Sequence, residues 1–496
     1  MKKIPYIVLF VLILGLCSCE NELDQIPVSS ITTGNFYSNT NDFTQAVNGA
    51  YSQLKAYPNQ SLWLSEMRSD NIAAVSDGNR DWQGVNDFSP NLTTTGFIVN
   101  AWSNMFNGIY NANTVLDALE TKGGNISDES LRIRFGAECR FLRAFYYFQL
   151  VRLYGKLPIL NKAMTATEVA GVPRSSVTEV YDFIIEDLEY AATNLPASYN
   201  AANVGRATSY AAKGILGLVY LTRSGPTYGI EGPGLDSNEY DKALALFNEI
   251  ITSNQFAFLS DYASIFSYTN ENNKEVIFDV QFISSSNGAG FPSQLVPVAY
   301  WTSLGISNTY GNGYGASNFN VSDNLRASYE SSEGEGSDVR EDFTIQLSYS
   351  NPFVKKYIDL SKKGTSGTDW PVNFIVLRYT DVLLMKAECI LHGATGTQED
   401  VDAIVNQVRA RAGVAPVSNV TLEVLMEERR REFLGEGLRW NDLVRSGQVI
   451  TTMNAWRESD DLLTISEVIP NYVIYPVPAA EILAKPGLYT QNPGYY

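Results

Sequence analysis

A single histidine stands among 496 residues, with only four cysteines. One imidazole leaves no His-rich zinc site, and a Ser-His-Asp triad would have to use His392, which sits at the end of a helical pattern just before Gly393. There it reads as a structural residue whose imidazolium complements the helix dipole. Four cysteines cannot staple a disulfide scaffold of this length. Charged residues are only 18% of the chain, and cations are the scarcer sign: 36 Lys and Arg face 54 Asp and Glu, for a net charge of −18. A chain this acidic is repelled by phosphate backbones, so nucleic acid is excluded as the expected partner. C-x-x-C, H-E-x-x-H, Walker and G-x-S-x-G motifs are all missing. Gly311-x-Gly313-x-Gly315 lacks the spacing and following helix of a dinucleotide fingerprint. The pattern Asp236-x-Asn238 has no glutamate at the position a calcium loop needs, so a structural calcium is only weakly signalled and no cofactor is expected.

The N-terminal apolar run, Pro5 to Leu16, falls short of the roughly twenty residues of a spanning helix. Preceded by Lys2 and Lys3, it reads as a signal peptide. Leu16-Cys17-Ser18-Cys19 places Leu at −3 and a small residue at −1 before Cys19, the pattern of a bacterial lipobox. Cys17 is disfavoured because bulky Leu16 precedes it. The alternative is an ordinary secretory signal with incidental cysteines. The acidic, aperiodic stretch after Cys19, continuing through Pro27 to Thr33, reads as a flexible tether. Cys139 and Cys389 fall inside helical patterns and are expected as buried thiols.

Most of the mature chain has helical periodicity. Phe135, Cys139, Leu142, Tyr146, Leu150 and Leu153 form one stripe of a helix over Leu131–Tyr154, stopped by Gly155 and Pro158. Further helices are expected over Trp102–Leu119, Val177–Leu195, Ala207–Leu221, Tyr240–Ile251, Tyr379–Leu391, Val401–Ala412 and Leu422–Val444. They come in consecutive pairs. The small, aromatic and apolar residues Ala243, Phe247 and Ile251 resemble the second helix of a tetratricopeptide unit, with Gly214 in the first; a generic helical bundle is the alternative. Val276–Phe282 has strong β-propensity.

What is abundant is rings: 29 Tyr, 23 Phe and 7 Trp. Many fall in two irregular stretches, residues 65–100 and 284–372, and long irregular segments are usually functional or disordered. Rings in polar loops suit sugars, whose C–H faces stack while their hydroxyls need polar partners. We therefore expect the two stretches to meet on one exposed face. Trp82, Trp301, Tyr310, Tyr314 and Trp370 would offer rings there, and Asp70, Asn71, Asp77 and Arg80 would offer hydroxyl partners. Trp63, Trp102 and Trp440 are expected in the core. No catalytic residue is marked, although abundant carboxylates leave a glycosidase pair formally open.

Several long motifs, in order, resemble the SusD/RagB family of Bacteroidetes outer-membrane lipoproteins. They are Glu138–Phe148 running on to Leu153-Tyr154-Gly155-Lys156-Leu157-Pro158, Leu377–Glu388, Asn406-x-Val408-Arg409-Ala410-Arg411-Ala412-Gly413, Glu427–Phe433 with Gly437-Leu438-Arg439-Trp440-x-Asp442-Leu443, and Tyr475-Pro476-Val477-Pro478. The resemblance implies a mainly α fold: a tetratricopeptide-like helix-pair solenoid with a large irregular loop region and a little β. The division it implies is a signal peptide over 1–18, a tether over 19–33 and a single domain over 34–496, with its N-terminal part at about 34–260 and its C-terminal part at about 261–496. It further implies a non-enzymatic, lipid-anchored protein facing the exterior of the outer membrane, which captures oligosaccharides for a SusC-like TonB-dependent transporter. RagB-like peptide capture is the alternative, and a surface glycoside hydrolase a more distant one. Arg–Glu pairs such as Glu428 or Glu432 with Arg429 or Arg439 are expected as buried scaffold.

If Cys19 is the acylated N-terminus, Cys19→Ala releases the protein from the membrane fraction and Cys17→Ala leaves it attached. Fractionation of cells expressing each variant checks this, since one signal alone anchors poorly and loss of the acyl chains removes the anchor.

Overall fold

The computed structural model describes residues 36–74, 81–285, 287–311, 319–329, 331–332, 336–349, 351–460, 462–463 and 465–496. Helices dominate, and their ends follow local chemistry. α1 (Thr40–Ser52) is capped by the Asn39 side chain, and α2 spans Gly96–Lys122. α3 (Glu129–Tyr154) begins under Asp128 and stops at Gly155, whose φ of 68° suits glycine. α4 (Val177–Asn194) opens with a capping box in which Ser176 Oγ and the Glu179 carboxylate satisfy each other's backbone N–H groups. α5 (Ser209–Arg223) and α6 (Tyr240–Thr252) follow. After a long irregular excursion come α7 (Tyr379–Leu391), α8 (Gln398–Ala412), α9 (Leu422–Phe433), α10 (Arg439–Arg445) and α11 (Val449–Ser459).

From α1 to α8 each helix packs on the next, so the chain winds as a stack of helix pairs. The stack continues across the excursion, because α6 packs directly on α7. In α5, Gly217 lets the Phe247 ring of α6 approach to where a Cβ would stand only 2.5 Å away. Cys139 and Cys389 are both buried thiols. His392 caps α7 and stacks on the Tyr240 ring, centroids 4.3 Å apart. Burial lowers its pKa, so desolvation outweighs the expected dipole stabilisation of an imidazolium.

The excursion is pinned at its neck. β2 (Val276–Val280) pairs antiparallel with β6 (Phe374–Arg378), with Val280 opposite Phe374, and β6 leads straight into α7. β1 (Ile72–Ala74) pairs with β3 (Phe319–Val321), and the two-residue strands β4 (Ser331–Ser332) and β5 (Gly336–Ser337) form a third ladder. The helix expected over Leu422–Val444 is two helices. Gly435 and Gly437, with φ of 82° and 74°, turn the chain between α9 and α10.

That turn serves a buried ionic network. Glu428 of α9 pairs with Arg340 at 2.6 Å, Arg409 at 3.0 Å and Arg431 at 2.8 Å. One turn on, Glu432 pairs with Arg411 at 2.6 Å, Arg378 at 2.8 Å and Arg340 at 3.2 Å. Glu436 holds Lys356 and Arg378, while Asp338 and Glu275 pair with Arg340 and Arg411. Arg430 and Arg439 share Asp70 and Glu427. Arg429 bridges Asp381 and Asp442, and Arg445 joins Asp442 to Glu388. Across these clusters cations and carboxylates balance one for one. The motif's charges are buried scaffold as expected, but none of the expected pairings of Glu428 or Glu432 with Arg429 or Arg439 forms among the described residues: Arg429 takes Asp381 and Asp442, and Arg439 takes Asp70 and Glu427. Burial alone would raise the Glu432 pKa; Arg411, Arg378 and Arg340 outweigh it and hold the carboxyl at about 2. Arg430 and Arg439 likewise overcome burial and hold Asp70 at about 2. Glu66, which accepts from the Gly435 N–H and from Asn71 but pairs with no arginine among the described residues, is raised by burial to about 7.

Removing one member of a buried pair leaves its partners uncompensated. Glu428→Ala should therefore lower unfolding free energy by about 3–5 kcal/mol in urea titration. Because Asp70 and Glu432 have folded-state pKa values of about 2, below the unfolded carboxylate range of about 4, their stabilisation is complete above that range. It is lost as pH falls toward about 2. Urea midpoints measured from pH 7 down to pH 2 should fall most steeply over that lower interval.

Candidate functional site

The two irregular stretches do meet. Ile72, Ala73 and Ala74 of β1 lie opposite Val321, Asn320 and Phe319 of β3. Ser322 donates its backbone N–H to the Asn71 carbonyl at 3.0 Å and its hydroxyl to the Asp70 carbonyl at 2.6 Å. Asp77, Arg80 and Tyr314 lie outside the described residues, as does Cys19.

The remaining predicted site residues point inward, which corrects the expectation of an exposed face. Asp70 has no exposed surface and is consumed by Arg439 at 2.8 Å and Arg430 at 3.0 Å. Asn71 donates to Glu66 and accepts from Arg430, both inside the protein. Trp82 is fully buried in the main core on the short helix Asp81–Asn86. Trp301, Tyr310 and Trp370 form one buried ring cluster with centroids 5.7–6.2 Å apart. The Trp370 indole donates to Ser293 Oγ, and the Tyr310 hydroxyl to the Gly364 carbonyl. The Asp70–Asn71 segment lacks periodicity yet is buried, because partners more than 350 residues away in sequence satisfy its polar groups. Trp63, Trp102 and Trp440 are buried as expected.

The ring that does reach a surface is the neighbour of one that does not. On the short helix Val298–Ser303, consecutive side chains diverge by about 100°. Trp301 turns into the core, while Tyr300 stays half-buried against Phe353 at 4.9 Å and Tyr349 at 6.0 Å. The Val321 N–H donates to the Pro352 carbonyl, tying this ring group to the β1–β3 ladder. Tyr300 lines an open cleft of about 760 Å³ together with Tyr268, Phe343, Gln346, Lys355 and Asp359.

Some cleft groups are already engaged: the Tyr268 hydroxyl donates to the Tyr357 carbonyl at 2.7 Å, and Asp359 accepts from Ser361. The hydroxyls of Tyr300 and Tyr349 and the ammonium of Lys355 have no hydrogen-bond partner among the described residues. Burial raises the Tyr300 pKa, keeping the phenol protonated, and lowers that of Lys355, which nearby Asp342 partly offsets. The arrangement joins apolar ring surface to free donors. Among the described residues no cluster of three or more His, Cys, Asp or Glu could hold a metal ion.

Tyr268, Phe343, Gln346, Tyr349, Lys355 and Asp359 were not singled out by sequence. Tyr268 carried the right signal, a ring in the polar run Ser267-Tyr268-Thr269-Asn270, but it precedes the stretch that composition marked. Nothing local distinguishes Tyr300 from Trp301; only the direction of the core does.

Residues 23–221 match the family model described as "Starch-binding associating with outer membrane", and residues 342–495 match the model of the SusD family, together well over half the chain. SusD-like protein P25 of Formosa agariphila is 26% identical, covering 98% of each protein. A SusD-like protein of Bacteroides ovatus is 29% identical over 69% of this chain and 64% of its own. Among solved structures, a laminarin-binding SusD-like protein aligns with a TM-score of 0.75 at 25% identity, covering 92% of this chain and 100% of its own. The surface glycan-binding protein A of Bacteroides thetaiotaomicron, solved with laminarihexaose, shares the fold with a TM-score of 0.74 at 22% identity, covering 92% of this chain and 100% of its own.

Since Trp82, Trp301 and Trp370 are core rings, truncating any of them to Ala should cost about 3–5 kcal/mol. Thermal melts should rank all three well below wild type, and Tyr300→Ala close to it.

Proposed function

Because the chain belongs to the SusD/RagB family, we propose that it is a non-catalytic glycan-binding protein of the outer-membrane surface, with the Tyr300 cleft as its oligosaccharide site. The observation that carries this reading is the pairing of ring faces, Tyr300, Tyr268 and Phe343, with the unpartnered hydroxyls and ammonium beside them. Pyranose C–H faces need the first and sugar hydroxyls the second. Relatives described as laminarin-binding or solved with laminarihexaose support the ligand class.

The same family premise supports lipid anchoring through Cys19 and delivery of the captured oligosaccharide to a SusC-like TonB-dependent transporter. A scaffold whose helices are locked by buried charges suits a capture surface, since rigid loops lose less freedom on binding. Co-purification of a large β-barrel with the tagged protein from native membranes tests the delivery step.

A panel of β-glucan and other oligosaccharides, set beside a peptide library, tests the ligand. Binding to sugars and not peptides is expected, with no shortened product after incubation. Tyr300→Ala and Tyr349→Ala should each weaken glycan affinity by about tenfold, the scale of an interface anchor, as read by isothermal titration. Peptide binding alone, or sugar affinity unchanged in both variants, overturns the assignment.

A further inference from the structure

Every buried cation described above pairs with a carboxylate, but two other buried arginines do not. Arg68 is satisfied without one: it donates to the carbonyls of Val85 and Tyr472 and to the Tyr495 hydroxyl, and lies over the rings of Phe88, Trp440 and Tyr475. Arg152 on α3 has a thinner shell. It is 7% exposed, donates to Gln149 Oε1 and lies 4.2 Å from the Phe148 ring centroid, and its Nε has no partner. No carboxylate pairs with it among the described residues. It also hydrogen-bonds to the Tyr57 hydroxyl, and the other groups that act on it are the Tyr181 hydroxyl and the guanidinium of Arg445, which is itself a cation.

Arg152 lines a small, partly open cavity of about 20 Å³, together with Tyr57, Gln60, Ser65, Gln149 and Asn441. That space admits one water-sized species. Its lining is rich in donors. The buried Ser65 hydroxyl has no partner. The Asn441 amide makes no side-chain hydrogen bond among the described residues. Gln149, whose oxygen is taken by Arg152, has its amide N–H groups left to give. A water could accept some of these hydrogen bonds but would leave the buried guanidinium without a compensating charge, which is unfavourable. A small anion answers both needs.

We propose that this cavity is a halide site, in which a chloride-sized monovalent anion is held by Arg152 and the surrounding hydroxyl and amide donors. It would sit at the seam between the Tyr57–Ser65 segment, α3, Gly437 and the first turn of α10, joining the helical stack to the motif that carries the ionic network.

The test uses the full chain in two ways. Thermal unfolding in sodium chloride or bromide is compared with sodium gluconate at equal ionic strength, gluconate being too large for the cavity. Wild type should show a saturable rise in unfolding midpoint with halide, and Arg152→Gln should show none. Independently, crystals of the wild-type protein grown in bromide should give an anomalous peak beside Arg152. A water-only cavity in that map, or an equal halide response in Arg152→Gln, overturns the proposal. If Arg152→Gln does not fold, the wild-type map decides alone.

Discussion

Helix α9 is the constraint on which the rest of the structure depends. Seven of its twelve residues are charged, and five of them, Glu428 to Glu432, are buried. Charges leave water only when partners with good geometry await them. Those partners come from α7, α8, α10, β6, the Asp338–Arg340 segment and the Asp70 loop. Each element is therefore held where a carboxylate or guanidinium must be, and several are fixed at two points. A hydrophobic core of similar volume would tolerate small slides of one element past another; an arginine bound to two carboxylates does not. Dispersed surface charge would give little of this, because exposed ion pairs contribute at most about 1 kcal/mol.

The same network explains how a largely irregular excursion becomes a shaped surface. Lys356, Arg340 and Arg378 reach from that excursion and its neck into the carboxylates of α9 and of the turn after it. The β2–β6 ladder closes the base, and the β1–β3 ladder ties the excursion to the Asp70 loop. Between these anchors the chain needs no secondary structure of its own to hold Tyr300, backed by Tyr349, and Tyr268 at a cleft. Ligand surfaces carried on loops over a rigid scaffold are a common division of labour, and here ionic anchors make the loops rigid.

Much of the fold was legible because it is encoded locally. The stripe through Phe135, Cys139 and Leu142, the stop at Gly155 and the β-branched run at Val276 each depend on residues a few positions apart. The break between α9 and α10 was missed, although Gly435 and Gly437 stood in plain view, because the charged periodicity on both sides suggested one continuous helix. The family motifs read correctly as scaffold, since rings and aliphatics interleave their charges.

The candidate site behaves differently. Sequence alone determined that the chain is mainly helical, that rings concentrate in two irregular stretches, and that buried Arg–Glu chemistry holds the C-terminal part together. Only the tertiary structure decided which rings face a ligand. Trp301 and Tyr300 are adjacent, with similar composition around them, yet one is core and the other lines the cleft. Asp70 reads as a loop carboxylate until Arg430 and Arg439 arrive from the far end of the chain. Burial is a property of what packs over a residue, and in this protein the covering elements come from elsewhere in the chain, for Asp70 from hundreds of residues away, which no local pattern records.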